Sequence, residues 1–107
     1  MAGDRSREFH PAFEEYCEAI WELREDDIDV IQARIAERLE VSRPAVSEMI
    51  RHIESEGLIQ VDRATSLTAT GLELAERVVR RHRLAERFLT DVLGLSWADA
   101  HVEAGKW

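Results

Sequence analysis

The sequence predicts a mainly α fold: a winged helix-turn-helix of three helices and a small β-hairpin, followed by a long helix and the start of a further helical segment. Three observations carry this expectation. Apolar residues recur at helical spacing over most of the 107 residues. Two short helical stretches meet at a tight polar link, Glu40-Val41-Ser42-Arg43-Pro44. Immediately after the second stretch, two β-prone runs flank a polar turn.

The elements follow in order. Residues 1–10 mix charge, Gly and Ser with little apolar content and read as a flexible arm. Pro11 opens the first helix, over 11–25, at a position where its missing N–H costs nothing. Phe13, Tyr16, Cys17, Ile20 and Leu23 form its apolar stripe, and Glu14, Glu15, Glu18, Glu22 and Glu25 fall largely on the other faces. A short second helix follows, with Ile31, Ile35, Ala36 and Leu39 as apolar positions and Asp29 as its expected N-cap. Ser42 is the expected cap of the third helix, Pro44 sits in its first turn, Val46, Ile50 and Ile53 face inward, and Gly57 ends it. Leu58-Ile59-Gln60-Val61 and Ser66-Leu67-Thr68, around the turn Asp62-Arg63-Ala64-Thr65, make the wing.

From Thr70 a long helix turns Leu72, Ala75, Val78, Val79, Ala85, Phe88 and Leu89 inward and Arg77, Arg80, Arg81, Arg83 and Arg87 outward, ending near Gly94. Ser96 caps a last helix, Trp97 to Trp107, which reaches the chain end without a stop signal, so the segment reads as truncated. The organisation expected is an arm over 1–10, a winged helix-turn-helix over 11–70 and a helical segment over 71–107.

Composition narrows the class. A hydrophobic content of 45% in 12.3 kDa suits one soluble folded unit with room for two subdomains. The single Cys17 cannot form an internal disulfide, and no zinc-like cysteine spacing exists, which points to a reducing cytoplasm. The N-terminus lacks the apolar run of a signal peptide, and no later apolar stretch approaches the ~20 residues of a membrane span. No Gly-rich phosphate loop or paired nucleophile and base is recognisable, so an enzyme is not expected.

The net charge of −8 argues at first against nucleic acid, because phosphate affinity comes mainly from Lys and Arg. The distribution of that charge points the other way. Residues 1–31 hold three basic and ten acidic groups, residues 32–83 nine and eight, and residues 84–107 two and four. The centre is the one part that is not acidic, and it contains the helix-turn-helix. There the third helix presents Ser42, Arg43, Pro44, Ala45, Ser47, Glu48, Arg51 and His52 off its apolar stripe. Small and polar side chains near a helix N-terminus suit base edges in the major groove, and Ser, Arg and backbone amides suit phosphates. Arg63 in the wing turn suits a phosphate or minor-groove contact and equally a solvated surface charge.

The blocks Arg34-Ile-Ala-Glu-Arg-Leu-Glu, Pro44-x-Val-Ser, Glu56-Gly-Leu, Thr70-Gly and Arg81-His-Arg-Leu-Ala-Glu-Arg-Phe-Leu-Thr-Asp-Val-Leu-Gly-Leu together resemble the diphtheria-toxin-repressor family of iron- or manganese-dependent repressors. The likeness covers nearly everything after Phe13. It implies a homodimer that binds a palindromic operator when Mn²⁺ or Fe²⁺ is bound and controls metal-homeostasis genes. The segment 71–107 then becomes a dimerisation and metal-binding segment, with Phe88, Leu89, Val92, Leu93, Trp97 and Trp107 as its surplus apolar surface. The family's DNA contacts fall on Gln32, Ser42, Pro44, Ala45, Ser47 and Glu48, with a wing contact near Arg63. At Glu48 iron-type members typically have Gln; a carboxylate there repels phosphates and accepts from cytosine N4, so operator preference is expected to differ.

The resemblance also places metal ligands on His82, Glu86 and His101, or on Glu15, Glu18 and His82 in the manganese-responsive type. Carboxylate and imidazole donors suit Mn²⁺ or Fe²⁺ better than a thiolate-seeking metal. Without the family, His82 and Glu86 also fit a surface ion pair, and Glu15 and Glu18 a solvated helix face. Two departures stand out: Gly105 occupies a position where the family places a Cys or Glu ligand, and Trp107 precedes its usual Glu-His pair. Glu103 is the neighbour that could rebuild such a site. Cys17, His10 and His52 read as non-ligands. The alternative is a metal-independent winged-helix regulator or protein-interaction module, which suits the acidic surface and Gly105.

Overall fold

The computed structural model describes residues 10–106. They divide into two compact units, one up to Ala75 and one from Glu76. Among the described residues there are five helices and one two-stranded antiparallel sheet: α1 (Pro11–Glu25), α2 (Gln32–Leu39), α3 (Arg43–Ser55), β1 (Ile59–Val61), β2 (Thr65–Leu67), α4 (Ala69–Asp91) and α5 (Trp97–Ala104). None of these helices is long and apolar enough to cross a membrane.

The first unit is built on aliphatic stripes at helical spacing. Ile20 and Leu23 of α1, Ile35 of α2, Val46, Ile50 and Ile53 of α3, and Leu58 and Ile59 around β1 are all buried. Full burial of such a side chain contributes about 1.5–3 kcal/mol relative to exposure. α1 packs on α2 and on β2, α2 on α3, and α3 on β1. Arg38 of α2 reaches Glu22 at 3.4 Å and Asp26 at 3.2 Å, tying the second helix to the first. Burial pushes the Glu22 carboxyl above its ordinary pKa, and the charge of Glu18 adds to this while Arg38 opposes it.

The hairpin pairs Ile59 with Leu67, Gln60 with Ser66 and Val61 with Thr65. Thr65 therefore belongs to the strand rather than to the turn. It is buried, and its N–H donates to the Val30 carbonyl at 2.9 Å, a pull that local turn chemistry cannot reveal. α4 begins at Ala69 beneath a Thr68 cap: Thr68 Oγ1 accepts from the Gly71 N–H at 3.1 Å and donates to the Gly57 carbonyl at 2.6 Å. Gly57 has φ +78, the left-handed stop at the end of α3 that favours Gly.

Several expectations are corrected here. Asp29 does not cap α2: Ile31 takes the cap position in extended backbone with no side-chain bond, and it is 41% exposed rather than inward. In α4, Leu74 is buried and Leu72 only half-buried, while Phe88 is 44% exposed. Helical spacing allows either side of a broad stripe to be the buried one, and packing decides which. The Ser96 cap holds, with Oγ accepting from the Asp99 N–H at 3.2 Å, but α5 ends at Ala104 with Gly105 as its C-cap. The expected arm lies, apart from His10, outside the described residues, as does Trp107. His10 itself caps α1 by accepting the Ala12 N–H on Nδ1 at 3.0 Å.

Within the second unit, the buried cluster consists of Ala85 and Leu89 of α4 with Ala100 and Ala104 of α5. Leu89 thus belongs to the core and not to surplus surface. Leu84, Val92, Leu93, Trp97 and Val102, each at least 58% exposed, lie outside that cluster.

Candidate nucleic-acid interface and metal centre

The turn before α3 is made by backbone geometry that the sequence permits at some cost. Glu40 adopts left-handed φ 56 and ψ 46, where a non-Gly residue is uncommon. The Val41 N–H donates to the Ala36 carbonyl at 3.1 Å, closing α2. Ser42 then turns extended, and its Oγ accepts the Ala45 N–H at 3.2 Å. No acidic residue sits in the first turn of α3, and Arg43 is exposed there, so the positive end of the helix dipole faces solvent unopposed.

α3 is divided lengthwise. Val46, Ile50 and Ile53 are at most 2% exposed, whereas Arg43, Pro44, Ala45, Glu48, Arg51 and His52 are exposed and Ser47 is half-buried. Glu48, Arg51, His52 and Ser55 line a shallow depression of about 290 Å³. Glu48 and Arg51 stand three residues apart, yet among the described residues neither forms an ion pair. Both are available to an outside partner. Gln32 opens α2 half-buried, and Arg63 is exposed in the hairpin turn.

In the second unit Glu86 of α4 and His101 of α5 come together, with Oε2 2.8 Å from Nδ1. The Glu86 side chain is largely buried and that of His101 mostly exposed. The Trp97 indole stacks on the His101 ring, with centroids 5.5 Å apart and planes 11° from parallel. His82, half-buried, precedes Glu86 by four residues on the same helix. In the first unit Glu15 is exposed and Glu18 half-buried on α1.

Among the described residues no three His, Cys, Asp or Glu side chains are gathered as a ready metal cage. One oxygen and one nitrogen donor stand adjacent, a pairing that suits Mn²⁺ or Fe²⁺. Gly105 offers no side-chain donor, and Glu103 pairs with Lys106 at 3.5 Å. Burial, aided by the charge of Glu14, pushes the Cys17 thiol up to about 12. It is a protonated core residue rather than a thiolate ligand. Sequence reasoning assigned Trp97 to surplus apolar surface, where its 69% exposure keeps it, and missed its stack on His101. The four-residue spacing of Trp97 and His101 on one helix was the available signal.

Comparison with known proteins agrees with this division of labour. Residues 8–67 match the profile described as iron dependent repressor, N-terminal DNA binding domain, and residues 68–107 match iron dependent repressor, metal binding and dimerisation domain. The iron-dependent repressor IdeR of Mycobacterium tuberculosis (strain H37Rv) is 47% identical over 96 residues, 88% of this chain and 42% of that protein. The diphtheria toxin repressor of Corynebacterium diphtheriae is 48% identical with the same coverage. The chain thus spans about 42% of the length of these relatives. Among solved structures, a manganese-dependent transcriptional repressor in complex with manganese superposes with TM-score 0.82 at 38% identity, covering 88% of this chain and 44% of that one. With the two profiles matched one after the other, and with a helix exposed along one face and a carboxylate–imidazole pair where each profile falls, the chain belongs to the iron-dependent repressor family of transcriptional regulators and not to an enzyme family.

Proposed function

We propose that this chain is the DNA-reading and metal-sensing part of a transcriptional repressor that binds a palindromic operator as a homodimer when Mn²⁺ or Fe²⁺ is bound, acts in the cytoplasm and controls metal-homeostasis genes. One observation carries the DNA half of this reading: α3 is buried along one face and presents exposed Arg43, Pro44, Ala45, Glu48 and Arg51 along the other. Such a helix enters the major groove with its N-terminal residues toward base edges. Ser42, Arg43, Gln32 and Arg63 then serve phosphates and the groove walls, and Ala45, Ser47 and Glu48 serve bases.

On the metal side, His82, Glu86 and His101 would hold the ion in one arrangement, and Glu15, Glu18 and His82 in the other. Bound there, the ion supplies a divalent positive charge that draws these donors together. Glu86 Oε2 and His101 Nδ1 already stand 2.8 Å apart, so two of these donors are close together beforehand. The relatives carry iron- and manganese-dependent names, and a metal-independent regulator or interaction module has no support among them.

The test is a titration of Mn²⁺ and anaerobic Fe²⁺, with Zn²⁺ as control, into wild type and His82→Ala, reading binding to a palindrome selected from a random pool. The expected result is at least about tenfold tighter binding with metal, about 1.4 kcal/mol of coupling, and loss of that gain in His82→Ala. Specific binding indifferent to every metal would refute the metal dependence.

A further inference from the structure

Glu48 is exposed on the face of α3 that the proposed function sets against DNA. In a groove walled by phosphates a carboxylate is repelled, and its presence calls for a cation beside it. The positive end of the α3 dipole is not that cation: Glu48 lies in the second turn of the helix, and the dipole's influence fades within the first. Helical geometry leaves as neighbours the residues three and four positions away. Pro44 and Ala45, on one side, have no side-chain donor; on the other side stand Arg51 and His52.

Arg51 fits the need better than His52. A guanidinium carries a fixed charge and five donors in a planar fork, enough for two anions at once, whereas a neutral imidazole has one donor. Both residues are exposed and line one shallow depression with Glu48. Among the described residues Glu48 and Arg51 form no ion pair, although the same three-residue spacing pairs Arg34 with Glu37 at 2.9 Å. Arg51 is therefore uncommitted before DNA arrives. The buried Val46, Ile50 and Ile53 seat the helix from its other face, so the two charges meet DNA at a fixed spacing along it.

We propose that Arg51 is a positioning residue for base reading: on DNA its guanidinium spans the Glu48 carboxylate and a backbone phosphate, holding that carboxylate toward the exocyclic amino group of cytosine. The proposal rests on the reading of α3 as the DNA-reading helix. A fork shared between two anions offsets the repulsion between them and turns Glu48 from a repelled group into an acceptor for cytosine N4. Arg51 thereby shapes sequence preference through Glu48 without touching a base.

The experiment selects duplexes from a random pool with the whole chain and Mn²⁺, for wild type, Arg51→Ala, Arg51→Lys, Glu48→Gln and the double variant Glu48→Gln with Arg51→Ala. Arg51→Ala is expected to weaken the cytosine preference at the Glu48 position about fivefold or more, the scale of one mismatched pair. In the Glu48→Gln background the same change is expected to weaken all duplexes alike and leave the remaining preference unmoved. Arg51→Lys keeps a charge for the phosphate but lacks the fork, so overall affinity is expected within about threefold of wild type with the cytosine preference still weakened. If Arg51→Ala lowers affinity uniformly in both backgrounds, or Arg51→Lys restores the preference in full, the bridging role is overturned. A preference lost at a different base position, with cytosine intact, would make Arg51 a base contact of its own and also overturn it. If wild type enriches no sequence, the proposed reading of DNA fails and this proposal with it; every other outcome leaves that reading standing.

Discussion

The two units spend their apolar residues differently. Up to Ala75, large aliphatics are inside: Ile20, Ile35, Val46, Ile53, Leu58 and Ile59 are all at most 2% exposed. From Glu76 on, the cluster joining α4 to α5 is three alanines and one leucine, while Leu84, Val92, Leu93, Trp97 and Val102 are exposed. The first unit has the interior of a domain that holds its own shape. The second buries Val78, Val79 and Leu89, sets mostly alanines between its helices and leaves those five large apolar residues exposed, which is how a surface built for a partner is composed. On the proposed function, reading and assembly then fall to separate stretches of one chain.

The contrast can be broken where it is strongest. Ile53→Ala should destabilise the chain by about 2–5 kcal/mol, because the site is fully buried and a cavity remains; a urea midpoint measures it. A loss below about 0.5 kcal/mol would mean that α3 does not rest on this stripe. Leu84→Lys sharpens the other side. Leu84 is 62% exposed beside Phe88 in an apolar depression of about 600 Å³ on α4. The substitution should change stability, read from the urea midpoint, by less than about 0.5 kcal/mol while weakening self-association, read by sedimentation, at least about tenfold.

Within the reading unit, Glu48→Gln should transfer base preference from cytosine toward adenine at one position of each half-site. The discrimination is about 1–3 kcal/mol, measured by selection from a random duplex pool, and an unchanged preference would remove Glu48 from the base-reading set. Gly71→Ala places a Cβ against the Leu58 carbonyl, backbone against backbone. It should cost about 1–3 kcal/mol in thermal unfolding because neither partner can yield cheaply. Ser42→Ala, the smallest effect, removes the Ala45 cap and about 1 kcal/mol of stability, read from the same unfolding curve.

What could be read from the chain beforehand divides along similar lines. Caps and stripes are local, and Ser42, Ser96, Gly57 and the Val46–Ile50–Ile53 face all stand where spacing and hydrogen-bond chemistry place them. Asp29 failed as a cap because α2 begins only at Gln32, with Ile31, in extended backbone, at the cap position. Leu74, Phe88 and Thr65 were misplaced because their burial depends on which neighbour arrives, and periodicity carries no information about neighbours. At the candidate metal centre, the Glu86–His101 contact joins residues fifteen apart on two helices and was available only through family resemblance. The Trp97 stack was available from spacing and was overlooked because an exposed Trp reads first as interface.

On the proposed function, α3 reads DNA by itself while the second unit, with metal, governs how the reading helices of two copies are paired. Binding of wild type to a selected palindrome and to its single half-site, each with and without Mn²⁺, tests this most directly. Metal is expected to tighten palindrome binding at least about tenfold and to leave half-site binding unchanged. Equal tightening on both duplexes would contradict it, because metal would then be acting on the reading helix itself.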